Sequence, residues 1–311
     1  MELDSTVIFG LLAKMVILIA LGMVACRFRV ISQEGQQTIS RLLLSIILPL
    51  GVLAAGNSTF NPKYSNNLLL TALIVFAYYI VAIGLSLLMG RLFNPPGKKK
   101  GVFVAMNVFA NTSFMGYAIA STLFGHEGML FAIVYNLLYN LFMFTFGVMS
   151  IEGNGASTID WRKLVTNPLT ISSVISLLIF ISPFRFPAMV TDSFSLVGSM
   201  SMPLSMILIG CWLSDIPAKA LVRDGLSYVI SLMRLVCFPL IMIFVARHFA
   251  ISPVVVGTCV VITSLPAGSL NVIFAQKFGS APDFAVATMA QGTVFSVFTL
   301  PLVISLLNHF F

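Results

Sequence analysis

Thr263-Ser264-Leu265-Pro266-Ala267-Gly268-Ser269-Leu270-Asn271 lies in the middle of an apolar segment, about Pro253 to Lys277, long enough to span a bilayer. Pro266 has no backbone donor and its ring clashes with the preceding turn, so a helix breaks or kinks there. Gly268 loosens the backbone further, and Ser264, Ser269 and Asn271 add polar groups. Backbone left open in hydrocarbon costs several kcal/mol per unmet group, so such a break persists only inside protein or beside a water-filled cavity. Two readings are open: a proline kink satisfied by neighbouring helices, or a binding site. A proline, a glycine and three polar side chains within nine residues favour the second.

Outward from this stretch, the 311 residues are 59% hydrophobic and 9% charged, against about 25% charged in a soluble domain. The chain therefore reads as an all-α polytopic membrane protein, with the lipid bilayer as its surroundings. Its net charge of +7 does not imply nucleic acid, because the basic residues sit in short loops between apolar runs. Cys26, Cys211, Cys237 and Cys259 fall in or beside apolar runs without metal-ligand spacing and are expected as free thiols. Met1-Glu2-Leu3-Asp4 lacks the basic region of a signal peptide, so the first apolar run is expected to be retained.

Ten candidate spans follow in order: about Val7–Cys26, Leu42–Gly56, Leu68–Met89, Val102–Phe124, Gly128–Ser150, Pro168–Ile181, Val190–Leu213, Leu226–Val245, Pro253–Gln276 and Pro282–Leu307. Span two contains Pro49 and span seven Pro203. A polar joint separates the two sets of five, which divides the chain into 1–151, a joining loop 152–167, and 168–311. With the N-terminus outside, the inward loops carry twelve basic residues, among them Arg27, Arg29, Arg41, Lys98, Lys99, Lys100, Lys219 and Arg223. The outward loops carry three, Lys63, Arg185 and Arg247. The positive-inside rule then places both termini outside the cytoplasmic membrane.

A shift of 154 aligns landmarks of the two halves: Pro49-Leu50 with Pro203-Leu204, Gly56 with Gly210, Phe124-Gly125 with Phe278-Gly279, Phe144-Thr145 with Phe298-Thr299. Five spans per half is odd, so the second half is expected to be inverted. Inverted repeats with interrupted helices in corresponding places point to a secondary transporter. The shift nominates a second break in span four, Met106-Asn107-Val108-Phe109-Ala110-Asn111-Thr112-Ser113-Phe114-Met115-Gly116. Asn107 and Asn111, four apart, are expected on one helix face. Polar packing between helices is the alternative role for them.

The whole chain resembles the auxin efflux carrier family, in its bacterial organic-acid permease branch of malate and malonate type. Asp160-Trp161-Arg162-Lys163-Leu164-Val165-Thr166-Asn167-Pro168 and Met202-Pro203-Leu204-Ser205-Met206-Ile207-Leu208-Ile209-Gly210 carry the resemblance, with Asn111-Thr112-Ser113-Phe114-Met115-Gly116 and Ser264-Leu265-Pro266-Ala267-Gly268. The resemblance implies a scaffold of spans one, two, six and seven, and a mobile transport domain of spans three to five and eight to ten. It implies that broken spans four and nine cross at the substrate site and that transport is by an elevator-type motion. A homodimer through the scaffold is compatible with it. Plant members have a proline before the asparagine of span four where this chain has Ala110, so the first break is expected to be the less sharp.

If both spans break near the midplane, the second half of each presents a helix N-terminus there, which favours an anion. The expected substrate is a small organic mono- or dicarboxylate. Its candidate contacts are Asn107, Asn111, Thr112, Ser113, Gly116, Ser264, Pro266, Ala267, Gly268, Ser269 and Asn271, with Gly268 admitting substrate to the backbone. Pro49, Asn136, Asn140, Pro203, Gln291, Thr293 and Ser296 rank second, with helix packing as their alternative role.

Arg234 lies about nine residues into span eight with no acid within a turn. A charge at that depth is functional or paired. It holds the substrate carboxylate, or it bonds carbonyls freed by Pro266 or Pro239. Lys14, two turns into span one, either snorkels or touches substrate. No Asp or Glu falls near the centre of a span, so a carboxylate proton relay or sodium site is not expected. No His-Glu-x-x-His, Gly-x-Ser-x-Gly or nucleotide-binding loop occurs, which argues against an enzyme or an ATP-driven pump, and no cofactor or metal is expected. A sodium-coupled symporter of the related bile-acid type is the alternative.

Overall fold

A computed structural model describes residues 5–57, 62–153, 161–214, 224–249 and 251–310. The described residues are helical apart from short links and one isolated β-bridge. In chain order the helices are α1 (Ser5–Arg27), α2 (Gln33–Gly56), α3 (Pro62–Leu92), α4 (Lys99–Val108), α5 (Thr112–Glu152), α6 (Trp161–Thr166), α7 (Pro168–Ile181), α8 (Ala188–Ser214), α9 (Gly225–Ala246), α10 (Pro253–Thr263), α11 (Ser269–Lys277) and α12 (Pro282–Phe310). Among the described residues, six helices are long and apolar enough to cross a bilayer: α2, α3, α5, α8, α9 and α12. The chain is a multi-pass helical membrane protein.

Local sequence explains most boundaries. The Ser32 hydroxyl accepts from Gly35 N at 3.1 Å and starts α2. Asn167 caps α7 through Leu169 N at 2.8 Å, with Pro168 in the first helical position. Asp224 caps α9 through Leu226 N at 3.1 Å. α5 is the second half of span four joined to span five, bent at Gly125, whose φ of 61° a side chain would resist. Helix α2 begins nine residues before the expected Leu42, because Gln33–Arg41 is too polar to register as an apolar run. Arg41 is therefore on a helix and not in a loop. The joint residues 154–160 and the loop bearing Lys219 and Arg223 lie outside the described residues.

Two prolines sit within helices at widened turns. In α2 the turn Leu43–Ile47 precedes Pro49, and in α9 the turn Met233–Cys237 precedes Pro239. In each the backbone N–H after the turn reaches back five residues, Leu48 to Leu43 and Phe238 to Met233. The π geometry relieves the clash a proline ring makes with the preceding turn. Arg234 lies inside the second of these turns.

α1 packs along α8, and α2 along α7 and the start of α8. α3, α4, α5, α9, α10, α11 and α12 share the large apolar core with Leu48, Val52 and Ala55 of α2 and Leu169 and Phe180 of α7; in it Tyr79, Phe109, Tyr135, Tyr139 and Phe142 pack at ring-centre distances of 4.9–6.0 Å. At one end Lys99 pairs with Asp224 and lies over the Phe284 ring, while Lys98 donates to the Phe278 carbonyl. These contacts tie α4 to the ends of α9, α11 and α12.

Candidate functional site

Two helix breaks meet in the buried interior. α4 ends at Val108 and α5 starts at Thr112; α10 ends at Thr263 and α11 starts at Ser269. The exposed backbone of each break satisfies the other. Asn111 N donates to Pro266 O at 2.8 Å and Gly268 N to Phe109 O at 3.0 Å, around the antiparallel pair Ala110–Ala267. The Asn271 amide adds a bond to Phe109 O at 3.0 Å and one to Gly268 O at 3.1 Å. This is the condition under which non-helical backbone survives at membrane depth. A Cβ on Gly268 would run into the Ala110 carbonyl oxygen, so the glycine admits the opposing chain. That differs from the expectation that it admits substrate.

Arg234 is fully buried and is the one charged side chain among the described buried residues. Its Nε donates to Leu265 O at 3.0 Å, Nη1 to Asn107 O at 2.8 Å and Nη2 to Thr263 O at 3.0 Å. All three acceptors are carbonyls at the C-terminal ends of α4 and α10, where intrahelical donors run out. Thr263 O and Leu265 O adjoin the Pro266 break, as the second of the two roles open for this arginine expects, while Asn107 O belongs to the other break. Tyr135 Oη meets Thr263 Oγ1 at 3.1 Å.

The N-terminal ends of α5 and α11 have no side-chain cap. Beside the first, Thr112 and Ser113 hydroxyls donate to Asn136 Oδ1 at 2.9 and 3.3 Å. The Asn136 amide nitrogen is buried without a hydrogen-bond partner, as are Asn107 Oδ1 and Asn271 Oδ1. Asn107, Asn111, Thr112, Ser113, Gly116, Ser264, Pro266, Ala267, Gly268, Ser269 and Asn271 are all buried at or next to the crossing. Asn107 and Asn111 do not share a helix face, because α4 stops between them.

The second-rank residues scatter. Asn136 joins the site, and Asn140 donates to Thr170 Oγ1 of α7 at 3.1 Å. Gln291 accepts from Ser231, while Thr293 and Ser296 bond carbonyls of their own helix. Pro49 is buried in α2, whereas Pro203 is exposed on α8, as is Lys14 on α1. Tyr135, Tyr139 and Phe109 were not singled out by the sequence, where aromatics in apolar helices look like any core residue. Among the described residues no group of three His, Cys, Asp or Glu side chains is placed to hold a metal ion.

A helical multi-pass chain with paired helix breaks in its interior belongs to the class of membrane transport proteins. The chain is a member of the membrane transport protein family that includes the auxin efflux carriers, whose profile matches residues 7–159 and 156–304. It is 20% identical to an uncharacterized transporter of Methanocaldococcus jannaschii over 92% of this chain and 94% of that one. An uncharacterized transporter of Methanothermobacter thermautotrophicus is 22% identical, over 93% and 95%. Auxin efflux carrier component 1 of Arabidopsis thaliana is 23% identical over 44% of this chain and 23% of the plant protein.

Proposed function

We propose that this protein is a secondary transporter of a small organic anion, a mono- or dicarboxylate, working by elevator-type alternating access across the cytoplasmic membrane. One observation carries the reading. At the crossing the carbonyl ends of α4 and α10 are bonded by Arg234, while the N-terminal ends of α5 and α11 have no side-chain cap. Free N–H groups and partial positive charge then remain for an anion, with Asn111, Thr112, Ser113, Ser269 and Asn271 around it.

The architecture is ten spans in two inverted repeats of five, with both termini external and no catalytic role. Two pieces of geometry support the repeat. Gly125 and Gly279, 154 apart, both turn the chain at positive φ, 61° and 58°. The approach of Gly22 in α1 to the Ile207 backbone in α8 corresponds, within a residue, to the Ser176–Val52 hydrogen bond between α7 and α2. Spans one, two, six and seven form the scaffold, through which a homodimer is compatible, and spans three to five and eight to ten move together. The ties from Lys98 and Lys99 to α9, α11 and α12 support a single moving body.

Proteoliposome uptake of a panel of mono- and dicarboxylates under imposed pH or sodium gradients tests the proposal. Saturable uptake with counterflow of at least one acid is expected. Strict dependence on sodium would favour a symporter of the bile-acid type. Flux of none of the acids, or flux without saturation, overturns the proposal.

A further inference from the structure

A cavity of about 560 Å³ opens between α2, α8, α11 and α12. One wall is a face of α11, Ser269, Val272, Ile273 and Gln276, at the spacing of successive helical turns. The facing wall is α2 from Gln33 to Leu44. The α11 wall is about 10 Å long and the α2 wall about 16 Å at the helical rise per residue. Ser269 begins α11 at the crossing, and Gln276 lies two turns away, next to the end where Lys98 bonds Phe278 O. The cavity is thus a trench from the basic end of the molecule to the uncapped N-terminus of α11.

Its lining is amides, two hydroxyls, apolar side chains and a single charge, Arg41. Arg41 lies in the last turn of the α2 wall, three residues before Leu44, and is solvent-exposed. No acidic side chain lines the trench. A lone guanidinium in a water-filled cleft with low-dielectric walls raises the local concentration of anions. The same guanidinium matches carboxylate geometry.

We infer that this trench is an anion vestibule, and that Arg41 is a second anion-holding site from which a carboxylate passes to the crossing. The inference rests on the anion-transport reading for the destination, and on the cavity and its one charge for the site.

The test is the charge selectivity of a cysteine at the inner end of the trench. Ser269→Cys is made in the full-length chain with its four native cysteines replaced, and is reacted with sulfonatoethyl and trimethylammonioethyl methanethiosulfonate from the basic face. Across a trench about 10 Å long, a unit charge in water changes each rate about twofold in opposite senses, so the anion-to-cation rate ratio carries about a fourfold contribution from Arg41. Arg41→Gln is expected to lower the ratio about fourfold, and Arg41→Lys, which keeps the charge, to retain it. An unchanged ratio in Arg41→Gln, loss of the ratio in Arg41→Lys, or no reaction of Ser269→Cys with either reagent overturns the inference. Labelling requires no transport. Selectivity without carboxylate flux would sink only the transporter reading, and flux without selectivity only the vestibule.

Discussion

Replacing Arg234 with glutamine tests how the crossing is held. The guanidinium makes three bonds of 2.8–3.0 Å to carbonyls on two separate elements. A single carboxamide nitrogen cannot reach all three, and at least two bonds are lost. Hydrogen bonds to a charged group contribute about 1.5–3 kcal/mol each, so the expected destabilisation is about 3–6 kcal/mol. For a chain of this size that lowers the melting temperature by roughly 10 °C. Arg234→Lys keeps the charge but replaces a planar fork by a point donor, and is expected to recover less than half of the loss. The assay is thermal unfolding of the purified protein in detergent, with carboxylate binding measured on the folded fraction. An Arg234→Gln protein that melts within about 2 °C of the parent while losing anion binding would refute the reasoning, and would return the arginine to the substrate.

Three other outcomes are expected. Asn136→Leu removes the acceptor for Thr112 and Ser113 and an unpartnered donor beside the α5 N-terminus; uptake should fall at least tenfold in protein that still folds, with the melting temperature lowered by only a few degrees, and normal uptake would exclude Asn136 from the site. A cysteine at the exposed Lys98 should resist impermeant thiol reagents in intact cells and react after permeabilisation; prompt labelling would invert the topology. Ile47 in α2, Phe114 in α5 and Leu208 in α8 pack in one cluster across the proposed sliding surface, so an Ile47→Cys to Phe114→Cys crosslink should abolish transport reversibly on reduction; full activity with the crosslink closed would rule out the elevator.

The break in span nine was legible because its cause is local: Pro266 removes a donor and Gly268 tolerates a close neighbour. The break in span four has no such residue. It was found only through correspondence with the other half, and the nominated stretch Met106–Gly116 contains the bridged Ala110. The partners of Arg234 could not be read from the chain, because all three are backbone carbonyls and every residue has one. The polar start of α2 was missed for a related reason. Search for apolar spans discards Gln33–Arg41, yet one face of that helix lines the trench.

The electrostatics of the crossing reduce to four helix ends. Each end carries about half a unit charge, negative at the carbonyl ends of α4 and α10 and positive at the N–H ends of α5 and α11. Arg234 brings one positive charge to the two carbonyl ends, which about balances them. The two N–H ends then remain, with a combined charge of about one unit and no buried Asp or Glu among the described residues to offset it. One carboxylate is the complement of that residue of charge. A second carboxylate on the same molecule would find no further positive end at the crossing and would need a cation elsewhere. A neutral substrate would leave the N–H ends uncompensated in a medium where unmet backbone groups are costly. An arginine at the carbonyl ends and no acid at the N–H ends is the charge arrangement on which the proposed anion specificity rests.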